Sequence, residues 1–386
     1  MLLEVIFWLS AVLLFYIYFG YPLALAALTR LNPKPLDKDP GFQPPVTILI
    51  AAYNEAKDIE STLRNKLAQT YPADKLQILV VSDESDDGTD DIVRSVASES
   101  SVDIQLVRQS PRQGKTAGLN LLVPMARGEI LLFSDANSQW GPNTVEQLTA
   151  NFADPAVGYV TGKMVYVNPD GSMIGDGCSA YMKYENWMRA KETLLGSVVG
   201  VDGGVDAMRR SLHSRLRADQ LPDFVQPLMV TEQGYRVVYE PEALLKEDAL
   251  SDSSSEYSMR VRVSLRALWA LKDMKALLNP ARYGVFAWQL WSHKVLRYYA
   301  FVPLATATIT ALALVTTSWL YLLATLGLIA LYGLAAEGYR RQKSDKYLPT
   351  FLAIPCYFML LNITSAHAAL SFARGERKVI WNPRKG

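Results

Sequence analysis

Cysteine and histidine are nearly absent: Cys178 and Cys356 are the only thiols in 386 residues, and His213, His293 and His367 the only imidazoles. Two thiols so far apart build no disulfide framework and fit a reducing compartment. The histidines share no metal-ligand spacing with one another or with cysteine, which excludes a zinc site of the common kinds. Charge of one sign is lacking too, since 39 Lys and Arg face 38 Asp and Glu, a balance of +1. That balance leaves no electrostatic footprint for nucleic acid, so none is expected as a partner. Apolar residues are plentiful, at 50% of the chain with a mean hydropathy of +0.06, so part of it is expected in lipid.

Leu2 to Leu28 carries only Glu4 as a charge and exceeds the roughly 20 residues a bilayer crossing needs. It lacks the basic start and small-residue cleavage site of a secretory signal, so residues 1–30 read as a retained transmembrane helix. Arg30, Lys34 and Lys38 follow, which assigns the next region to the cytoplasm by the positive-inside rule. Pro33, Pro35, Pro40, Pro44 and Pro45 make residues 31–45 a stiff linker. Over residues 46–250, apolar runs at Val46–Ala52, Leu76–Ser82, Ile104–Arg108 and Glu129–Ser134 alternate with helical stretches. This pattern predicts an α/β fold with a mostly parallel sheet, whose ligands bind beyond the carboxyl ends of the strands.

Residues 251–297 interleave Arg260, Arg262, Arg266, Lys272 and Lys275 with Val, Leu and Trp269, then continue through Trp288, Trp291, His293, Lys294 and Arg297. They read as interfacial amphipathic helices, with a surface helix of the soluble domain as the alternative. Three apolar segments follow within 298–373: Tyr298–Val315, Ser318–Ala336 and Leu348–Phe372. About four membrane segments are therefore expected, in an inner (plasma) membrane with the catalytic region cytoplasmic. Arg340, Arg341, Lys343 and Lys346 belong inside, and a third crossing would then place the basic tail 374–386 outside. Pro349, Pro355, Asn362, Thr364 and His367 also make the last segment a candidate re-entrant one.

The strand tips hold the chemistry. The first ends Ala51-Ala52-Tyr53-Asn54-Glu55-Ala56, the second leads into Asp83-Glu84-Ser85-Asp86-Asp87-Gly88, and the fourth ends Ser134-Asp135-Ala136-Asn137. Between them, Arg112-Gln113-Gly114-Lys115-Thr116 offers a cation and backbone amides at a helix start, a pattern that holds phosphate. Asp135 and Asn137 are hard oxygen ligands suited to Mg²⁺ or Mn²⁺ on a diphosphate. A P-loop NTPase competes for the same residues, because Gly114-Lys115-Thr116 opens a helix. It requires glycine at position 109, where Gln109 stands.

From Pro45 to about Arg266 these motifs resemble, in order, the inverting glycosyltransferases of family 2, which have a GT-A fold and include membrane synthases of the cellulose, chitin and hyaluronan type. Ala52, Tyr53 and Glu55 match the family's first strand tip, and Asp83 its uracil-contacting acid. Lys115 and Asn120 fall at its diphosphate pair, and Asp135-Ala136-Asn137 at its metal motif with asparagine as the second ligand. Gly203, Gly204 and Arg209-Arg210 resemble its acceptor stretch, with Trp140, Trp187 and Trp269 as candidate sugar platforms. Asp223-Phe224 resembles the segment bearing the catalytic base, with Asp219 as a nearby alternative and Arg262 as a cation for the transition state.

The resemblance implies a UDP-sugar donor, departure of UDP assisted by Mg²⁺ or Mn²⁺, and a growing polysaccharide as acceptor. One departure from the family favours another acceptor. Met259-Arg260-Val261-Arg262-Val263 keeps the arginine of the family's Gln-x-x-Arg-Trp but not its tryptophan, which points to single transfer onto a polyprenyl phosphate or glycolipid. Membrane lipids, and an export or regulatory protein, are the other partners this organisation admits. An inactive membrane scaffold is the non-enzymatic alternative.

Overall fold

The computed structural model describes residues 1–167, 177–248, 253–344 and 346–377. The chain forms two compact units: Met1–Asn32 with Ile174–Met188 and Ala249–Glu376, and Pro33–Met173 with Arg189–Asp248 and Arg377–Gly386. The helix Gly177–Leu195 is divided between them. A contiguous 46–250 domain does not anticipate that division.

In the second unit β1 (Val46–Ala52) and β2 (Leu76–Ser82) form where the apolar runs predict, and β3 (Asp103–Arg108) begins one residue early. β4 (Ile130–Asp135) is displaced by one residue, so Asp135 closes the strand. β1 pairs in parallel with β2 on one side and β4 on the other, setting Ala52 opposite Ser82 and Ala51 opposite Asp135. Progress along the sheet therefore reverses between β1 and β4, where α/β sheets open a crevice for ligands.

Both faces of β1, β2 and β4 are buried, which explains their continuous apolar runs. Ile48, Ile50, Ile78, Val80, Ile130 and Leu132 pack with Ile59, Leu63, Val93 and Val96 from the helices Ile59–Leu67 and Thr89–Glu99. Leu49, Leu79, Val81, Leu131 and Phe133 pack the opposite face with Leu119 and Leu122 of the helix Lys115–Leu122. Each such side chain contributes on the order of 1.5–3 kcal/mol by leaving water. Together they hold the strand tips in fixed register.

Beyond β4 the expected parallel sheet becomes mixed. β7 (Asp206–Arg209) runs antiparallel to both β4 and β6 (Val157–Val167), β8 (Arg236–Asp248) runs parallel to β6, and β5 (Gln139–Trp140) closes the edge antiparallel to β8. The β6–β8 register shifts between Thr161 and Lys163. Gly162 lies at that shift because a Cβ there would sit 2.5 Å from the Ala243 carbonyl oxygen.

In the first unit Leu2–Leu31 is one helix of 30 residues, long and apolar enough to cross a membrane and widened to a π turn at Tyr16–Gly20. Trp319–Lys343 and Thr350–Ala373 are likewise long and apolar enough to cross a membrane. The segment expected at Tyr298–Val315 differs. Its helix, Phe301–Ala313, has 13 residues and bends 57° from the preceding helix Pro280–Tyr298. Thirteen residues reach only about 20 Å, short of a bilayer core, so it crosses only as part of that bent pair. The last segment is one helix running through Pro355. Gly338 lets its neighbour approach it, since a Cβ there would lie 2.9 Å from the Leu352 carbonyl oxygen.

The basic helix Ser253–Asp273 turns Val261, Leu265 and Leu268 onto Ala368, so the stripe expected to rest on lipid is covered by protein. Within the same unit Glu185 accepts from Arg297 and stands 3.0 Å from His293 Nε2.

Candidate active site

Four strand tips and two loops of the second unit meet at the β1/β4 crevice. The first two tips are stitched together. Asn54, at a left-handed φ of 54° that asparagine tolerates, donates through Nδ2 to Asp86 at 2.8 Å and accepts the Asp86 backbone N–H at 3.0 Å. The Glu55 N–H donates to Thr89 Oγ1 and the Ala56 N–H to Asp87. Ala52 is buried, and its carbonyl accepts the Asp83 N–H. Tyr53 lies under the Arg112 guanidinium, 3.5 Å from the ring centroid.

Asp83 is 5% exposed and accepts the backbone N–H groups of Gln113 and Gly114, each at 2.9 Å, and the side-chain amide of Gln109. Two of the amides expected to hold phosphate are thus spent on a carboxylate. This corrects the phosphate-loop expectation for that stretch and removes the P-loop alternative, which needs those amides facing a nucleotide. Asp83 instead fixes the approach to Gly114, whose φ of 89° aims Lys115 at the crevice.

Lys115 is the hub. Its Nζ donates to Asp135 Oδ1 at 2.6 Å and lies 3.6 Å from Asp223 Oδ2. Burial works to lower its pKa, but Asp135 and Asp223 outweigh it, so the ammonium is held above the ordinary lysine range. The two glycines close the cluster: a Cβ on Gly203 would lie 2.9 Å from Asp223 Oδ2, and one on Gly204 3.3 Å from Asp135 Oδ2. Their φ values of 80° and 72° favour glycine for a second reason. Asp135, Lys115, Asp223, Gly203 and Gly204 therefore share one wall.

Asp206, on β7, lies fully buried beneath it, facing the hydroxyls of Thr161 and Tyr159. Burial first and the nearby Asp223 second raise its pKa well above the carboxylate range. Nothing in the sequence marks Asp206, because its reading depends wholly on burial.

Other expected site residues are placed differently. Asn120 exchanges two hydrogen bonds with the Leu216 backbone, at 2.7 and 3.2 Å, so it braces the loop before Asp223 rather than meeting the donor. Thr116 Oγ1 holds the same loop through the Gln220 carbonyl. Asp219 is engaged by Arg217 and Arg377, which keep its pKa low against the upward pull of burial, so it is a poor proton acceptor. Trp140 is 3% exposed and cannot serve as a platform for sugar. Trp269 meets Phe372 edge-on and carries the Lys272 ammonium over its ring. Arg262 and the half-exposed Trp187 belong to the first unit.

Among the described residues no group of three His, Cys, Asp or Glu side chains could hold a metal unaided. Asp135 and Asn137 supply two oxygen donors. That set suits Mg²⁺ or Mn²⁺, which take few protein ligands and complete their shell from phosphate and water.

His213, just after the turn Arg210–Leu212 that follows β7, is pushed down by burial to about 4. The unfolded imidazole takes a proton near 6.5 and the folded one only near 4, so acid favours the unfolded chain between those values. Unfolding temperature is expected to fall as pH drops from 6.5 to 4. His213→Gln should flatten that dependence, and an unchanged slope would remove the assignment.

A doubly faced sheet with a lysine, two carboxylates and two glycines at its switch point is the place where such α/β folds bind ligands. Residues 47–217 match the family model described as glycosyl transferase family 2, so that stretch of the chain carries a domain of that family on a GT-A-type sheet. The sequence is similar to the beta-monoglucosyldiacylglycerol synthase of Trichormus variabilis, 28% identical over 172 residues that make 44% of this chain and 36% of that protein. It also resembles the poly-beta-1,6-N-acetyl-D-glucosamine synthase of Staphylococcus aureus, 24% identical across 66% of this chain and 64% of that protein. The match thus spans little more than a third of the first relative's length and just under two thirds of the second's. Among solved structures, a mannosyltransferase from Pyrobaculum calidifontis in complex with GDP-Man and Mn²⁺ superposes with a TM-score of 0.74 at 25% identity, covering 97% of this chain and 99% of that one.

Proposed function

We propose that the chain is a membrane-bound inverting glycosyltransferase in which Asp223 removes a proton from the acceptor hydroxyl as that oxygen attacks the anomeric carbon of a nucleoside-diphosphate sugar. The observation that carries this is the grouping of Asp135, Lys115 and Asp223, with the last two 3.6 Å apart. In an inverting displacement the base and the cation that receives the leaving group flank the anomeric carbon on opposite faces, so both must line one crevice. Lys115 meets the departing diphosphate. Asp135 and Asn137 would hold a divalent metal, which when bound supplies further positive charge to that diphosphate. Burial, and after it the nearby Asp223, favours the neutral state of Asp206.

For the donor, the sequence resemblance implies uridine, although the Asp83 carboxylate is taken up by Gln109, Gln113 and Gly114, while the Pyrobaculum relative was solved with GDP-Man. For the acceptor we favour a lipid over a growing polysaccharide. Val263 replaces the tryptophan of the polymer-making members, and the Trichormus relative is named for a glycolipid. The Staphylococcus relative, named for a polymer, supports the other reading. The three long apolar helices suit an acceptor presented at a membrane, with the catalytic unit on the cytoplasmic side where the linker lysines follow the first helix.

Membranes containing the full chain, offered radiolabelled UDP- and GDP-sugars in turn, are expected to yield a single lipid-extractable product from one of the two nucleotide classes. A labelled, hydrolysable polymer that lengthens with time would move the acceptor to polysaccharide. Free labelled sugar with every donor would remove the transferase reading.

A further inference from the structure

The helix Ile59–Leu67 carries an ammonium group where a leucine would be expected. Ile59, Leu63 and Lys66 share its core-facing stripe, and all three are 0% exposed. Removing a lysine charge from water costs several kcal/mol unless partners replace the water, so the position needs a reason beyond filling space. Its Nζ donates to the Ser138 carbonyl at 2.7 Å and to Asn65 Oδ1 at 3.1 Å, and it lies over the Trp140 ring, 4.1 Å from the centroid. All three partners are electron-rich. Burial lowers its pKa well below the ordinary lysine value, with the Asp135 charge acting in the opposite sense.

Those partners lead to the crevice. Ser138 ends the turn that bears Asp135 and Asn137, and its N–H donates to the Asp135 carbonyl at 3.2 Å. Trp140 is clamped by Asn65, whose side chain donates to the Trp140 carbonyl at 2.9 Å and accepts its N–H at 2.8 Å. The indole N–H of Trp140 then donates to the Gly204 carbonyl at 2.8 Å. A single buried side chain thus reaches the turn of Asp135 and, through one ring, the glycine pair against Asp223.

We propose that Lys66 and Trp140 are positioning residues: Lys66 sets the Asp135–Asn137 turn for the metal and diphosphate, and Trp140 registers that turn with the Gly203–Gly204 wall beside Asp223. The proposal rests on the reading of Asp135 as a donor-site residue. Lys66→Met keeps the length and removes the donor and the charge. Outer groups that orient metal ligands usually change affinity by ~10- to 100-fold. Mn²⁺-dependent binding of UDP and of GDP to the full chain in detergent, followed by calorimetry, is expected to weaken about tenfold or more in Lys66→Met, while the unfolding temperature holds or rises.

Trp140→Phe keeps a ring beneath Lys66 but loses the N–H to Gly204. It is expected to lower kcat and raise the acceptor KM with nucleotide binding as in the wild type. Wild-type nucleotide affinity in a folded Lys66→Met overturns the proposal. If that variant does not fold, wild-type kcat and acceptor KM in Trp140→Phe overturn it instead. Asp135→Ala separates the two levels: unchanged metal-dependent binding in that variant removes the donor-site reading itself, whereas loss there beside normal binding in Lys66→Met removes only the bracing role.

Discussion

Asp223→Asn is expected to reduce transfer by ~10²- to 10⁴-fold, the usual worth of a general base, while nucleotide binding stays at the wild-type level. The substitution is close to isosteric and keeps an oxygen facing Lys115, 3.6 Å away, but it cannot take a proton. The fold should tolerate it, since an amide in place of the carboxylate fits the same narrow space over Gly203. Single-turnover transfer beside calorimetric binding separates the two properties. Turnover near wild type would move the base elsewhere, and Asp219 is a poor successor because Arg217 and Arg377 hold it ionised.

Asp135→Ala should be as damaging for a different reason. It removes the one carboxylate in the proposed metal set and leaves Lys115 with Asp223 as its remaining close acid. An ammonium freed from Asp135 and drawn toward Asp223 would depress the basicity of the proposed base. Both nucleotide affinity and kcat are therefore expected to fall, by more than the ~10- to 100-fold that loss of an outer partner costs. Titrating Mn²⁺ against nucleotide binding checks it. Metal dependence that survives the substitution would assign the ion to other ligands.

Much of the parallel half of the sheet was legible because β1, β2 and β4 are buried on both faces and so spell unbroken apolar runs. Their ends named Asp83 and Asp135 directly. The mixed half was not legible in this way. β7 has four residues and begins with a buried aspartate, and β8 carries Pro241 in its interior. Those strands are set by pairing across the sheet, which leaves little local pattern. Asn120 and Lys66 mark the same limit within the site. In sequence Asn120 stands near a lysine of phosphate-binding type, and Lys66 has the character of a solvated helix residue. Tertiary contacts nonetheless give Asn120 to Leu216 and bury Lys66. The short helix Phe301–Ala313 escaped notice because apolarity continues on both sides of its bend.

The division of the helix Gly177–Leu195 bears on how the enzyme can be cut down for study. Its early turns count with the apolar helices, and Glu185 there satisfies Arg297 and His293. A fragment trimmed at the proline linker and at Asp248 would carry that acid away from both partners and leave a cation stranded in what remains. Solubilising the transferase by deleting its hydrophobic ends is therefore an unsound route, and biochemical work should begin from the intact polypeptide in detergent or nanodiscs.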